Sequence, residues 1–128
     1  MKLPVDRKYS ETHEWFLVDG DEVTIGITQF AADQLTDITF VELPSLGSTI
    51  KAGDSFGEVE SVKATSEIFS SVTGKVIAIN DTLGDHPEQI NDDAFDAGWL
   101  IKLKAESTEP VAALMDPKEY KQFVRASV

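Results

Sequence analysis

"GEVESVKATSEIFS", Gly57 to Ser70, is the stretch on which the fold turns. It is small, polar and acidic, and Lys63 is its single cation. If EVESV and SEIFS are strands, the turn between them centres on Lys63 and Ala64. Tight hairpins favour Asn-Gly, Asp-Gly or another glycine-bearing pair, because the primed turns need positive φ. The chain places glycine at other turns, at Gly20, Gly47, Gly53, Gly74 and Gly84, but not here. A tip without favourable turn chemistry suggests a tip kept for what it displays. A hairpin symmetric about that centre sets Glu60 opposite Glu67, and like charges across a ladder cost on the order of 0.2–1 kcal/mol. A helix is the alternative: Val59, Val62, Thr65 and Ile68 recur every three residues and would leave Lys63 merely solvated.

On either side the pattern is β. In EWFLVDGDEVTIGI, Val23, Ile25 and Ile27 alternate with Thr24 and Gly26, and DGD supplies a hairpin turn. TQFAADQL, near 28–35, reads as a short helix capped by Thr28, with Phe30, Ala31 and Leu35 on one face. Further short strands follow in ITFVELP, STIKAGDSFGEVES, SEIFSSVTGKVIAIN and GWLIKLK. Many short strands at close spacing point to a sandwich or barrel rather than a parallel sheet. IKAGD (50–54) and INDTLGD (79–85) echo one another as an apolar strand running into a Gly-Asp turn. A β core over about 9–104 and a C-terminal helical segment over about 107–126 together make one domain, 1–128. In that segment Ser107 or Thr108 precedes Pro110. A second helix starts at Asp116, with Pro117 in its first turn, Glu119 three residues on, and a stripe of Tyr120, Phe123 and Val124.

Composition narrows the chemistry. Across 128 residues there are 23 acids against 11 bases, a formal net charge of -12. Such a surface repels phosphate backbones and anionic membranes, and suits basic surfaces or cationic ligands. The chain has no cysteine, which excludes disulfides, zinc-thiolate sites and a thiol nucleophile. The N-terminal MKLPVDRKYSETHEW has no apolar run for a signal peptide or membrane span, so a cytoplasmic location is expected if Met1 is the natural start. His13 and His86 are too few and too scattered for a metal cluster; His13 is expected to be structural and His86 a loop residue. GDSFG brings Ser55 closest to a nucleophile elbow, but without the strand–turn–helix that motif needs. The polypeptide alone is therefore expected not to be an enzyme.

ESVKA, with a glycine-bearing strand before it and SSVTGKVIAIN after it, resembles the lysine hairpin of biotinyl and lipoyl carrier domains. HEW at 13–15, VTIGIT at 23–28, FA at 30–31, FVELP at 40–44, KAGD at 51–54, GWLIKLK at 98–104 and the terminal EYKQF narrow the likeness. Together they resemble the glycine cleavage system H proteins, in order and spacing, from about Tyr9 to Phe123. A biotin carrier usually shows Met-Lys-Met where this chain has Val62-Lys63-Ala64. A lipoyl domain of a 2-oxo acid dehydrogenase usually shows Asp-Lys-Ala and lacks the C-terminal helix.

The resemblance implies a mainly β, flattened barrel-sandwich hybrid with a short helix near 28–35 and a C-terminal helix. It implies lipoic acid in amide linkage to Lys63, as N6-lipoyllysine, attached by a lipoate ligase or lipoyl transferase. Glu60, Ser61, Val62 and Ala64 would flank that lysine. The implied role is a shuttle between three enzymes. A pyridoxal-phosphate glycine decarboxylase loads an aminomethyl group, an aminomethyltransferase takes the carbon, and dihydrolipoamide dehydrogenase reoxidises the dithiol. Acylation would remove the charge that lets Lys63 pair with Glu60 or Glu67, and Thr12, Glu14 and Glu67 would line a cleft for the loaded, cationic arm. Some members of the family carry histidine on the first helix where this chain has Gln34. A monomer with no nucleic-acid or membrane partner is expected. The alternative of another class is an H-like lipoyl donor for other enzymes, or an unmodified interaction module.

Overall fold

The computed structural model describes residues 2–127. The strands the alternation predicts are present. β1 (Lys8–Tyr9), β2 (Glu14–Asp19) and β3 (Glu22–Ile27) run antiparallel, and Gly20, at φ 65°, carries the turn where Asp19 pairs Glu22. Positive φ is cheap only for glycine. α1 (Gln29–Leu35) starts at Thr28, whose hydroxyl accepts the Ala31 N–H at 3.2 Å. There follow β4 (Ile38–Glu42), β5 (Thr49–Ile50), β6 (Ser55–Ser61), β7 (Thr65–Phe69) and β8 (Gly74–Ile79). α2 (Thr82–Asp85) and α3 (Gln89–Asp92) separate β8 from β9 (Ile101–Ala105). α4 (Glu109–Ala112) and α5 (Pro117–Ser127) end the chain.

The strands form two antiparallel sheets. Six lie in the order β1-β2-β3-β9-β8-β5, and three in the order β4-β6-β7. Val59 and Ile68 of the small sheet share one buried cluster with Phe16, Ile25, Val76 and Leu103 of the large one. Each such side chain stabilises the fold by roughly 1.5–3 kcal/mol through burial. The β4–β6 approach is close enough to require glycine at 57, where a Cβ would stand 2.2 Å from the Glu42 carbonyl oxygen. The β6–β7 register shifts at that point, between Ser55 and Gly57.

A second cluster lies under α5, where Tyr9, Trp15, Tyr120 and Val124 are buried and Phe30 and Phe123 pack against them. The capping box at its start forms as expected: Asp116 Oδ1 accepts the Glu119 N–H at 2.8 Å, and Glu119 Oε1 accepts the Asp116 N–H at 3.0 Å. α4 starts differently, since Thr108 makes no side-chain cap bond and Ser107 Oγ accepts the Glu109 N–H instead.

Two expectations need correction. Phe30, Ala31 and Leu35 do not share one face: Ala31 and Leu35 pack on the inter-sheet core, Phe30 turns to the α5 cluster, and Ala32 is the residue α1 buries. A helix of seven residues wedged between two cores presents a side to each. The echo at 79–85 is also unequal, because Thr82–Asp85 closes into a helical turn while Lys51–Asp54 stays a tight turn. No helix among the described residues is long and apolar enough to cross a membrane.

Candidate functional site

β6 and β7 form the expected hairpin, which removes the helical alternative, but its centre lies one residue earlier. Glu60 pairs with Thr65 and Glu58 with Glu67, and the Ser61 N–H donates to the Ala64 carbonyl at 2.8 Å. The turn residues are therefore Val62 and Lys63. Glu67 opposes Glu58, not Glu60. The cause is the Ser61 hydroxyl, which accepts the N–H groups of Lys63 at 3.1 Å and Ala64 at 3.0 Å. A serine oxygen satisfying the next two amides is a local substitute for a backbone turn. It closes the tip with no positive φ, since the described non-glycine residues with positive φ are His13 and Thr36. Serine does here what glycine does at Gly20, Gly47 and Gly53, where φ is positive; Gly74 instead opens β8 and Gly84 lies within α2.

Lys63 is exposed. Its Nζ donates to the Gln34 carbonyl at 3.1 Å, and the Val62 N–H donates to the Asp37 carbonyl at 3.1 Å. The expected ion pair with Glu60 or Glu67 does not form: among the described residues only Arg7–Asp6 and His86–Glu88 lie within ion-pair distance. The C-terminal carbonyls of a helix attract cations, and α1 has no basic residue in its own last turn. Lys63 supplies that charge from the hairpin. At Gln34 it is therefore the backbone, not the side chain, that meets the lysine.

The three acidic-cleft residues separate. Glu14 is 1% exposed. Its Oε1 accepts from the hydroxyls of Ser10, at 2.6 Å, and Thr12, and its Oε2 accepts the Phe69 N–H at 3.2 Å, so the carboxylate ties β2 to β7. Burial pushes its carboxyl above the usual range, against the opposing effect of those hydrogen bonds. Of its two hydroxyl partners, Thr12 is exposed and Ser10 is buried. Glu67 is exposed on β7, and among the described residues no hydrogen bond joins it to Thr12 or Glu14.

His13 is structural. Its Nδ1 lies 2.7 Å from the Tyr120 hydroxyl, which in turn lies 2.8 Å from Thr28 Oγ1. Phe30 and Phe123 flank its ring, and burial lowers its pKa. The same burial pushes the Tyr120 phenol up to about 12. His86 is exposed in its loop beside Glu88. Ser55 Oγ donates to the Gly57 carbonyl within the β6 strand. Among the described residues no group of three His, Asp or Glu side chains is placed to hold a metal ion. The Gln34 and Asp37 anchors have no sequence signal, whereas a serine two residues before Lys63 is itself a turn signal.

The family model described as glycine cleavage H-protein matches residues 7–127. Over 124 residues the chain is 47% identical to the glycine cleavage system H protein of Anaeromyxobacter sp. (strain K), covering 97% of each chain. Over 124 residues it is 49% identical to that of Listeria monocytogenes serotype 4a (strain HCC23), covering 97% of this chain and 99% of the relative. The crystal structure of a glycine cleavage system H protein from Mycobacterium marinum superposes with a TM-score of 0.87 at 35% identity, over 98% of this chain and 100% of that one. The chain belongs to the glycine cleavage H-protein family.

Proposed function

We propose that this chain is the lipoyl-bearing shuttle of a glycine cleavage system, with lipoic acid in amide linkage to Lys63 Nζ. One observation carries the assignment: an exposed amine at the tip of a two-residue turn, held by a single backbone carbonyl. That amine can be released at little cost and has room for an acyl tether. When attached, the lipoyl group supplies an exchangeable disulfide that ferries an aminomethyl group between enzymes.

The chain's residues position that group. Ser61 sets the turn, and Glu60, Ser61, Val62 and Ala64 form the surface a lipoate ligase or lipoyl transferase meets, with Val62 70% exposed. Glu14, held by Ser10 and the Phe69 N–H, is the carboxylate that attracts the cationic end of a loaded arm. Thr12 is its exposed cover and gives way to the amine, and Glu67 on β7 adds negative charge beside the hairpin. The polypeptide is a cytoplasmic, monomeric carrier rather than a catalyst. Its partners are the pyridoxal-phosphate decarboxylase, the aminomethyltransferase and dihydrolipoamide dehydrogenase.

Incubating the protein with lipoate ligase, lipoate and ATP, then measuring intact mass and mapping peptides, tests the attachment. One lipoyl increment on Lys63, absent in Lys63→Arg, is expected. Modification at Lys51 or Lys75 instead, or none, refutes it. For the cleft, Glu14→Ala is expected to shed the aminomethyl group faster than wild type; an unchanged rate removes Glu14 from that role.

A further inference from the structure

The hairpin tip is anchored to the α1–β4 connection, and that connection is strained. Thr36 has φ 61° and ψ −145°. A β-branched residue persists in that conformation only where surrounding structure holds it. Asn91, on α3 and 55 residues away in sequence, provides the hold. Its Nδ2 donates to the Thr36 carbonyl at 2.6 Å and to the Ala32 carbonyl at 3.5 Å, and its Oδ1 accepts the Ile38 N–H at 3.0 Å. One side chain thus spans both ends of the strained link. Gln29 braces it, with Nε2 donating to the Asn91 carbonyl at 2.7 Å and Oε1 accepting the Ala94 N–H at 3.1 Å. The Gln34 and Asp37 carbonyls beside Thr36 are the two that take Lys63 Nζ and the Val62 N–H.

We propose, on the reading that Lys63 is the attachment point, that Asn91 is a positioning residue for its acylation. In that step Nζ attacks the acyl carbon of a lipoyl-adenylate made from lipoate and ATP. The C–N bond forms, the acyl–phosphate bond breaks, AMP leaves and a proton departs from nitrogen. Asn91 touches none of these atoms. It holds the connection whose carbonyls fix where the tip stands, so the ligase meets one arrangement rather than many.

Removing Asn91 lowers the fraction of chains with a competent tip, which raises the apparent Kd of the carrier for the ligase by the inverse of that fraction. In assays with lipoate ligase, lipoate and ATP, Asn91→Ala is expected to raise KM for the carrier about fivefold, with kcat little changed. Hydrogen exchange at the Val62 amide should quicken while the Val59 and Ile68 amides keep their protection. Asn91→Asp, which retains the acceptor for Ile38 but loses the donor to Thr36, should shift both readouts the same way. Thr36→Gly in the Asn91→Ala background should restore them, because glycine adopts that conformation without strain. An unchanged KM and Val62 exchange in both single variants overturns the proposal. So does uniform loss of protection across the sheet, which is the mark of a merely structural residue. Failure of the wild-type chain to be modified at Lys63 refutes the carrier assignment instead, and Val62 exchange still decides the clamp.

Discussion

Neutralising Glu58 is expected to stabilise this protein, against the usual outcome of a substitution. The register places Glu58 on β6 directly between Glu42 on β4 and Glu67 on β7. Val59 and Ile68 point into the core, so the row of three carboxylates stands on the outer face of the small sheet. Each directly opposed like-charge pair costs roughly 0.2–1 kcal/mol, and Glu58→Gln removes two such pairs, a gain of about 0.4–2 kcal/mol. For a domain of this size that corresponds to a rise in Tm of roughly 2–8 °C. Glu58→Lys should gain more, by turning both pairs attractive. Screening supplies the control: the Debye length falls from about 30 Å at 0.01 M salt to about 3 Å at 1 M. Thermal and urea unfolding of wild type, Glu58→Gln and Glu58→Lys at both ionic strengths measures the effect. The gain should shrink in 1 M salt and vanish in a Glu42→Gln/Glu67→Gln background. No gain at low salt, or one that survives in that background, would show that the register-based repulsion is not what these carboxylates experience.

Ser61→Ala leaves the Lys63 and Ala64 amides without their acceptor. A local loss of about 0.5–1.5 kcal/mol should speed their hydrogen exchange roughly 2–13-fold, with Ser61→Asp close to wild type. Tyr120→Phe removes the hydroxyl shared by His13 and Thr28; measured by urea denaturation, it should cost about 1–3 kcal/mol. Glu14 has a raised folded-state pKa, so the folded chain holds its proton more tightly than the unfolded one. Its contribution to stability is present at acid pH and is lost as pH rises through that folded value. His13, with a lowered pKa, acts oppositely: its contribution is present above the ordinary histidine value and lost as pH falls. Glu14→Gln should remove the first of these slopes from a stability–pH curve, and an unchanged curve would contradict the raised pKa.

The readings that held rest on short spans. Thr28 caps α1 because a hydroxyl before a helix finds a free N–H three residues on, and Asp116 with Glu119 begins α5 by reciprocal bonds over the same distance. Val23, Ile25 and Ile27 alternate into a strand because side chains on an extended backbone change face at every residue. The readings that failed needed a partner or an alternative acceptor. Symmetry about Lys63 and Ala64 sets Glu60 against Glu67, whereas the Ser61 hydroxyl moves the centre back by one residue and brings Glu58 there instead. How deep Glu14 sits is likewise absent from the local pattern, because its burial between β2 and β7 depends on two sheets closing over it.

By itself, then, the order of residues determined that the chain is a β protein with helices begun by Thr28 and Asp116. Those features follow from periodicity and capping, which act over a few bonds. Only the tertiary structure decided that Lys63 stands on a hairpin rather than a helix, which carbonyls anchor the tip, that Asn91 bonds the Thr36 carbonyl, and that Glu14 lies inside. Those depend on groups far apart in sequence, each satisfying a hydrogen-bond donor or acceptor that the other would otherwise leave buried or strained.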